Sequence, residues 1–219
     1  MKKRIELIEY DFGGDLFIDV GGNVGMWTSE LYNLYNKVYF IEPSSDAISK
    51  AKTNLLDQEQ KISYYKNICS NVLGEKKSIF SCSTDTGNFS VFGKELYKEG
   101  IALEEDMIET ITLDSLLPAI KEHNNILIKI DTEGSDLDIL LGSLELIRHK
   151  IPTIIMEAHY HMYFDQEKHD KIFNTIRELG YSIQNFKNVN YLTESNRLFD
   201  GVHNGAQMYD MHFQILMTP

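Results

Sequence analysis

Short apolar runs alternate with amphipathic stretches along the chain, the pattern of helices laid on both faces of a mostly parallel sheet. Leu16–Val20 reads as a first strand, apolar throughout because a parallel strand is covered on both sides. Trp27–Tyr35 reads as the following helix, with Leu31, Leu34 and Tyr35 as its stripe. Val38–Glu42 is a second strand, after which Ser44, Ser45 and Asp46 supply caps for a helix from Ala47 to Leu56. Ile62–Ile68 reads as a third strand, ended by Cys69, Ser70 and Asn71, and Gly74 turns the chain into Ser78–Ser83. From Thr84 to Met107 periodicity is lost, which predicts a surface excursion placed to cover a site. Thr110–Leu113 resumes a short strand, with Asp114 capping a helix towards Ile120. Ile126–Ile130 and Thr153–Met156 are strongly apolar strands. Between them, Ser135–Leu146 carries Leu137, Leu140, Leu141 and Leu144 at helical spacing. Lys168–Leu179 is an amphipathic helix stopped by Gly180, Tyr181–Phe186 begins a strand, and His212–Met217 is the last one. The polar stretch Asn188–Met211 reads as a second part of a substrate wall.

The length, 219 residues, suits a single domain spanning residues 1–219 with a full core. A formal charge of −12 argues against nucleic acid as a partner, because a duplex binder needs a cationic face. The Lys2-Lys3-Arg4 cluster is too short to supply one. Cys69 and Cys82 are too few for a disulfide framework and lack zinc-ligand spacing, which predicts reduced thiols in a soluble cytoplasmic protein. No apolar run approaches the roughly 20 residues of a spanning helix, so membrane insertion is not expected.

Three groups of residues carry candidate chemistry. In the first, Asp19 precedes a turn made by Gly21, Gly22, Asn23 and Gly25, and Glu42 closes the next strand. This layout suits a nucleoside cofactor, with the backbone close to the ligand at the glycines and Glu42 on the ribose hydroxyls. The G-x-G-x-x-G spacing of a nicotinamide-dependent oxidoreductase is missing. S-adenosylmethionine has no pyrophosphate to cradle, and its α-ammonium group can be held by Asp19 directly or through water. The plainer alternative is a glycine turn that only packs strand on helix. The second group is Lys129, Asp131, Glu133 and Gly134, at the mouth of a buried strand where ligands of open α/β sheets bind. Strand alternation puts Lys129 and Asp131 on one face, where they can pair, and Glu133 also suits the first turn of the next helix. The third is Glu157, His159 and His161, in period-two register after the next apolar strand.

The runs FIDVGGNVG, FIEPS, TLDSLL, IKIDTEGSDLDILLGS and IIMEAH, in this order and spacing, resemble the FkbM family of S-adenosylmethionine-dependent O-methyltransferases. The resemblance covers Phe17 to His161, and the K-I-D-T-E-G-S-D-L-x-I-L-x-G run is its most distinctive part. It implies the class I Rossmann-like methyltransferase fold, α/β with a seven-stranded, mostly parallel sheet and an antiparallel last strand. It also implies a small-molecule or glycan hydroxyl acceptor, often a sugar. Asp19, Gly21, Gly22, Asn23 and Gly25 would then line the methionine part of the cofactor. Glu42, with Ser44 beside it, would line the ribose, and Cys69, Ser70 and Asn71 the adenine. Asp131, Glu133 and Glu157 match the family's acidic positions near the methyl group. Family members usually carry Gly-Ala where this chain has Gly21-Gly22, and many carry an acid where Cys69-Ser70-Asn71 offers none.

Two mechanisms suit these residues. In one, His159 or Glu157 takes the acceptor's proton with Asp131 assisting. In the other, Asp131, Glu157 and His159 hold Mg²⁺ or Mn²⁺, which orients and acidifies the acceptor. The rival readings are an NAD-dependent oxidoreductase and a catalytically silent nucleoside-binding module. The aromatic stretch Tyr160–Phe164 suits either a sugar-stacking wall or a homo-oligomer interface.

Overall fold

The computed structural model describes residues 11–82, 85–90, 103–132, 134–159, 165–185 and 212–219. Seven strands form the central sheet: β1 (Gly14–Val20), β2 (Tyr35–Ile41), β3 (Ile62–Tyr65), β8 (Ile126–Ile130), β9 (Thr153–His159), β10 (Ser182–Asn185) and β11 (His212–Thr218). They lie in the order β10-β11-β9-β8-β1-β2-β3. The pairs β1–β2, β2–β3, β1–β8 and β8–β9 are parallel, whereas β11 runs antiparallel to both β9 and β10. This is the expected class I arrangement, with the strand order reversing between β1 and β8.

The apolar strands sort their side chains onto two faces by alternation. Phe17, Val38, Phe40, Leu127 and Ile155 face one way, with Trp27 and Leu31 of α1 (Met26–Leu31) and Ala51 of α2 (Ser45–Asn54). Ile18, Val20, Ile128, Ile130 and Met156 face the other way. They meet α3 (Asp136–Leu141), α4 (Leu144–Lys150) and α5 (Gln166–Glu178). Each fully buried side chain of this size contributes about 1.5–3 kcal/mol. Helix starts follow the caps: Ser44 Oγ accepts from the Ala47 amide, and Asp165 accepts from the Lys168 amide.

Four expectations are corrected. The Thr84–Met107 excursion contains strands β6 (Asp85–Ser90) and β7 (Leu103–Ile111), which with β5 (Lys76–Cys82) and β4 (Ile68–Cys69) make a second sheet, β4-β7-β5-β6. Backbone pairing, which leaves no periodic signal in the side chains, holds it, and among the described residues Ile68, Ile79 and Ile108 are buried together there. The third strand ends at Tyr65, because Ile68 and Cys69 pair with Thr110 and Ile111 in that second sheet. The helix over Ser135–Leu146 is two helices. Gly142 breaks it, its carbonyl accepting from the Asp114 amide, and Asp114 Oδ1 accepts from the Leu146 amide at 2.7 Å at the start of α4. Finally, Tyr35 opens β2 rather than closing α1; it is buried beside Phe17, while Leu34 is exposed. All of Asn188–Met211 and all of Tyr160–Phe164 lie outside the described residues.

Candidate functional site

The last paired residues of the central strands are in one register: Val20 with Ile41, Val20 with Ile130, and Ile130 with Met156. The next residue on each strand is therefore in one rank: Glu42, Gly21, Asp131 and Glu157, along the carboxyl edge of β2-β1-β8-β9. That rank spans the point where strand order reverses, the crevice at which open α/β sheets take ligands.

Behind the rank is a buried polar chain. Asp19 is wholly buried; its Oδ2 accepts from Thr28 Oγ1 at 2.7 Å, and its Oδ1 is 3.2 Å from Lys129 Nζ. Lys129, 3% exposed, also donates to the carbonyls of Gly21 (2.7 Å) and Val20 (3.3 Å) and is 3.7 Å from Asp131 Oδ2. Desolvation works against its charge, but the carboxylates of Asp19, Asp131 and Glu42 outweigh that and hold the ammonium above the ordinary lysine range. Asp131 carries the ligand-facing end of this chain, its side chain 22% exposed.

The glycine turn is shaped by its neighbours. Gly21 is at φ +70, and a β-carbon there would overlap the Asp131 carbonyl. Gly22 lies against the Phe40 ring, where a β-carbon would overlap it. Gly25, at φ +84, closes a turn with its amide on the Gly22 carbonyl and accepts the first hydrogen bond of α1 from Ser29. Asn23 tolerates φ +50 and donates its amide to Glu42 Oε2 at 3.0 Å, while Ser44 donates to Oε1 at 2.9 Å. Burial pushes the Glu42 carboxyl above the ordinary glutamate value, outweighing those two donors. Each oxygen keeps a further lone pair for a ligand hydroxyl.

A methyltransferase FkbM domain matches residues 19–183, most of the chain and all of this edge. The chain belongs to the FkbM methyltransferase family. Among solved structures it is similar to methyltransferase FkbM from Methylobacillus flagellatus KT, with TM-score 0.54 and 14% identity. That match covers 99% of this chain but 46% of the other, so the chain spans about half that protein's length. Looser likenesses include a putative rRNA methylase from Clostridium thermocellum, with TM-score 0.47, 11% identity and coverage of 98% and 90%. Another is a putative methyltransferase from Streptococcus mutans in complex with SAH, with TM-score 0.46, 12% identity and coverage of 94% and 88%. No curated protein matches the chain by sequence.

Within this FkbM domain, the structure brings Asp19, Gly21 and Asp131 together around Lys129, and Asn23 and Ser44 around Glu42. The expected pairing of Lys129 with Asp131 is present. Asp19, with no exposed surface, holds Thr28 and Lys129. Cys69 and Ser70 are buried and Asn71 exposed, in the segment just beyond β3. Glu133 and His161 lie outside the described residues, as does the His159 side chain. Among the described residues no three of His, Cys, Asp and Glu gather as metal ligands. No helix of the described residues is long and apolar enough to cross a membrane.

Three contributors were not expected. Thr28 orients Asp19; only its place on the inward face of α1 hints at that. Asp136 accepts from the Thr132 amide (3.1 Å) and hydroxyl (2.8 Å), fixing the loop after Asp131. Gly142 lies where a β-carbon would overlap the Ser70 carbonyl, which places the Cys69–Asn71 segment.

Proposed function

We propose that this chain is an S-adenosylmethionine-dependent O-methyltransferase whose acceptor is a hydroxyl of a sugar or glycoside. The observation that carries the reading is the rank of Glu42, Gly21, Asp131 and Glu157 along the carboxyl edge at the strand-order reversal. The family match decides against the oxidoreductase. Glu42 suits the ribose hydroxyls, and the glycine turn suits the methionine moiety. Bound S-adenosylmethionine would supply a methyl group on a sulfonium.

With it bound, the acceptor oxygen would take the methyl group in one displacement, the carbon–sulfur electron pair remaining on sulfur in the thioether product. The hydroxyl proton passes to a carboxylate as the new bond forms. Glu157, half-buried in β9 just past its last pair with β8, suits that role, with Asp131 orienting the acceptor. Most of the rate gain then comes from alignment. For the divalent-cation version, the described residues offer two carboxylates, Asp131 beside Lys129 and Glu157, which would hold Mg²⁺ only with water completing its octahedral shell. No step is routed through a cation.

The test is incubation with labelled cofactor and a panel of deoxyhexosides, locating the added methyl by mass and NMR. The same assay is run on Asp131→Ala and Glu157→Ala, and after exhaustive chelation. A wild-type rate in both variants would mean that these acids do not catalyse. Activity lost on chelation and restored by Mg²⁺ or Mn²⁺ would replace the carboxylate mechanism with the metal one. S-adenosylhomocysteine, and not NAD, is expected to raise Tm.

A further inference from the structure

We infer that Lys129 is the positioning residue of this site: its buried ammonium ties the glycine turn to Asp131, so one group sets both the cofactor cradle and the acceptor-facing carboxylate. What those two parts do rests on the methyltransferase reading; the tether itself does not.

Four oxygens converge on Nζ: the carbonyls of Gly21 at 2.7 Å and Val20 at 3.3 Å, Asp19 Oδ1 at 3.2 Å and Asp131 Oδ2 at 3.7 Å. An ammonium has three N–H donors. The two carbonyls take two of them, and Asp19 and Asp131 are held by charge, least screened at the wholly buried Asp19.

Charge balance alone does not ask for this arrangement. Neutralising the wholly buried Asp19 takes one ion pair and no carbonyl. Gly21, at φ +70, instead turns its carbonyl onto Nζ, while its α-carbon lies where a β-carbon would overlap the Asp131 carbonyl. The Asp131 amide in turn donates to the Val20 carbonyl at 3.2 Å. Turn, ammonium and Asp131 thus close a ring, and a shift of any one moves the others.

The experiment separates the tether from charge balance by comparing Lys129→Met with the double variant Asp19→Asn/Lys129→Met. The double variant removes both buried charges, so it is expected to regain much of the Tm lost by Lys129→Met. The amides of Gly21–Asn23 are nevertheless expected to exchange at least tenfold faster than in the wild type, with Leu127 and Ile128 keeping wild-type protection. Calorimetry is expected to show S-adenosylhomocysteine binding at least tenfold more weakly. Wild-type exchange at the turn in the double variant would overturn the inference and leave Lys129 a counter-ion. A wild-type protein that does not bind S-adenosylhomocysteine would sink the methyltransferase reading, while turn exchange would still decide the tether. Should both variants fail to fold, side-chain ammonium NMR of the wild type decides. A tethered Nζ gives a slowly exchanging signal coupled to the Gly21 carbonyl, and a fast-exchanging one overturns the inference.

Discussion

Replacing Gly21 by alanine tests whether the turn truly touches Asp131. At φ +70 an L side chain is strained by about 1–2 kcal/mol. The new β-carbon would also overlap the Asp131 carbonyl oxygen, 2.9 Å from its carbon and 3.0 Å from Thr132 Cγ2. Backbone has to shift to relieve that, for about 1–3 kcal/mol more. The sum is about 2–5 kcal/mol, or roughly 4–20 °C of Tm in a chain of this size. Gly74 is the internal standard, at φ +77 with nothing within 4 Å of a built β-carbon. Gly74→Ala therefore shows the conformational strain alone, about 1–2 kcal/mol. Urea unfolding of both variants gives the contact as a difference, and calorimetry with S-adenosylhomocysteine is expected to weaken only for Gly21→Ala. Equal stability losses would mean that Gly21 is required for its dihedral angle only, and the close approach to Asp131 would be wrong.

Gly22→Ala is expected to destabilise by about 1–3 kcal/mol, because its β-carbon meets the Phe40 ring rather than a strained backbone angle. In a Phe40→Leu background that loss should shrink, and additive losses in the double-mutant cycle would refute the contact. His169 is buried and stacked on Phe173, and burial holds its pKa below the ordinary 6.5. Below pH 6.5 the unfolded chain takes up a proton that the folded one does not. Its contribution is therefore full above that pH and lost as pH falls from 6.5 towards the folded value, by up to about 1.4 kcal/mol per pH unit. His169→Gln should flatten that part of a urea-unfolding series between pH 7 and 5.5, and an unchanged slope would refute it. The Cys69 thiol, pushed up to about 12 by burial, is ~10⁻⁴ ionised at pH 8. Mass spectrometry should find it unlabelled by iodoacetamide until urea unfolds the chain, and native labelling would show that the segment opens.

Periodicity made the central sheet legible because β1, β8 and β9 are buried on both faces and read as unbroken apolar runs. The second sheet was not, since backbone pairing between β5 and β7 leaves little trace in side-chain pattern. The helix break at Gly142 was hidden for a related reason: Leu140 and Leu144 keep helical spacing across it, and the hydrogen bonds that fix it come from the distant Asp114. In the site, the acids at strand ends were legible because a charge closing an apolar run is conspicuous. The pairing of Lys129 with Asp131 followed from alternation, but its reach to Asp19 and the Gly21 carbonyl needed the β1–β8 register, which no local pattern contains. The ribose role expected of Glu42 came from spacing, whereas its Asn23 amide donor depends on the left-handed turn there.

The glycines and the acids of this edge carry unequal functional weight. Gly21, Gly22 and Gly25 each have a packing reason to be glycine, against Asp131, Phe40 and Leu55 respectively. A fold with no ligand would need them as much. The acids have partners of their own, Thr28 and Lys129 for Asp19 and two backbone amides for Glu42, but those contacts do not call for so many carboxylates in one place. Asp19, Glu42, Asp131 and Glu157 line one edge with Lys129 as the cation among them, and Asp19 is one cause of the raised pKa of Glu42. A chain selected for stability alone gains nothing by gathering that excess of negative charge in partly dry surroundings. A ligand bearing positive charge offsets it. S-adenosylmethionine would bring a sulfonium and an ammonium against its one carboxylate, whereas a dinucleotide would bring phosphates and deepen the imbalance. The electrostatics of the strand ends, more than the glycine spacing, separate the two cofactors.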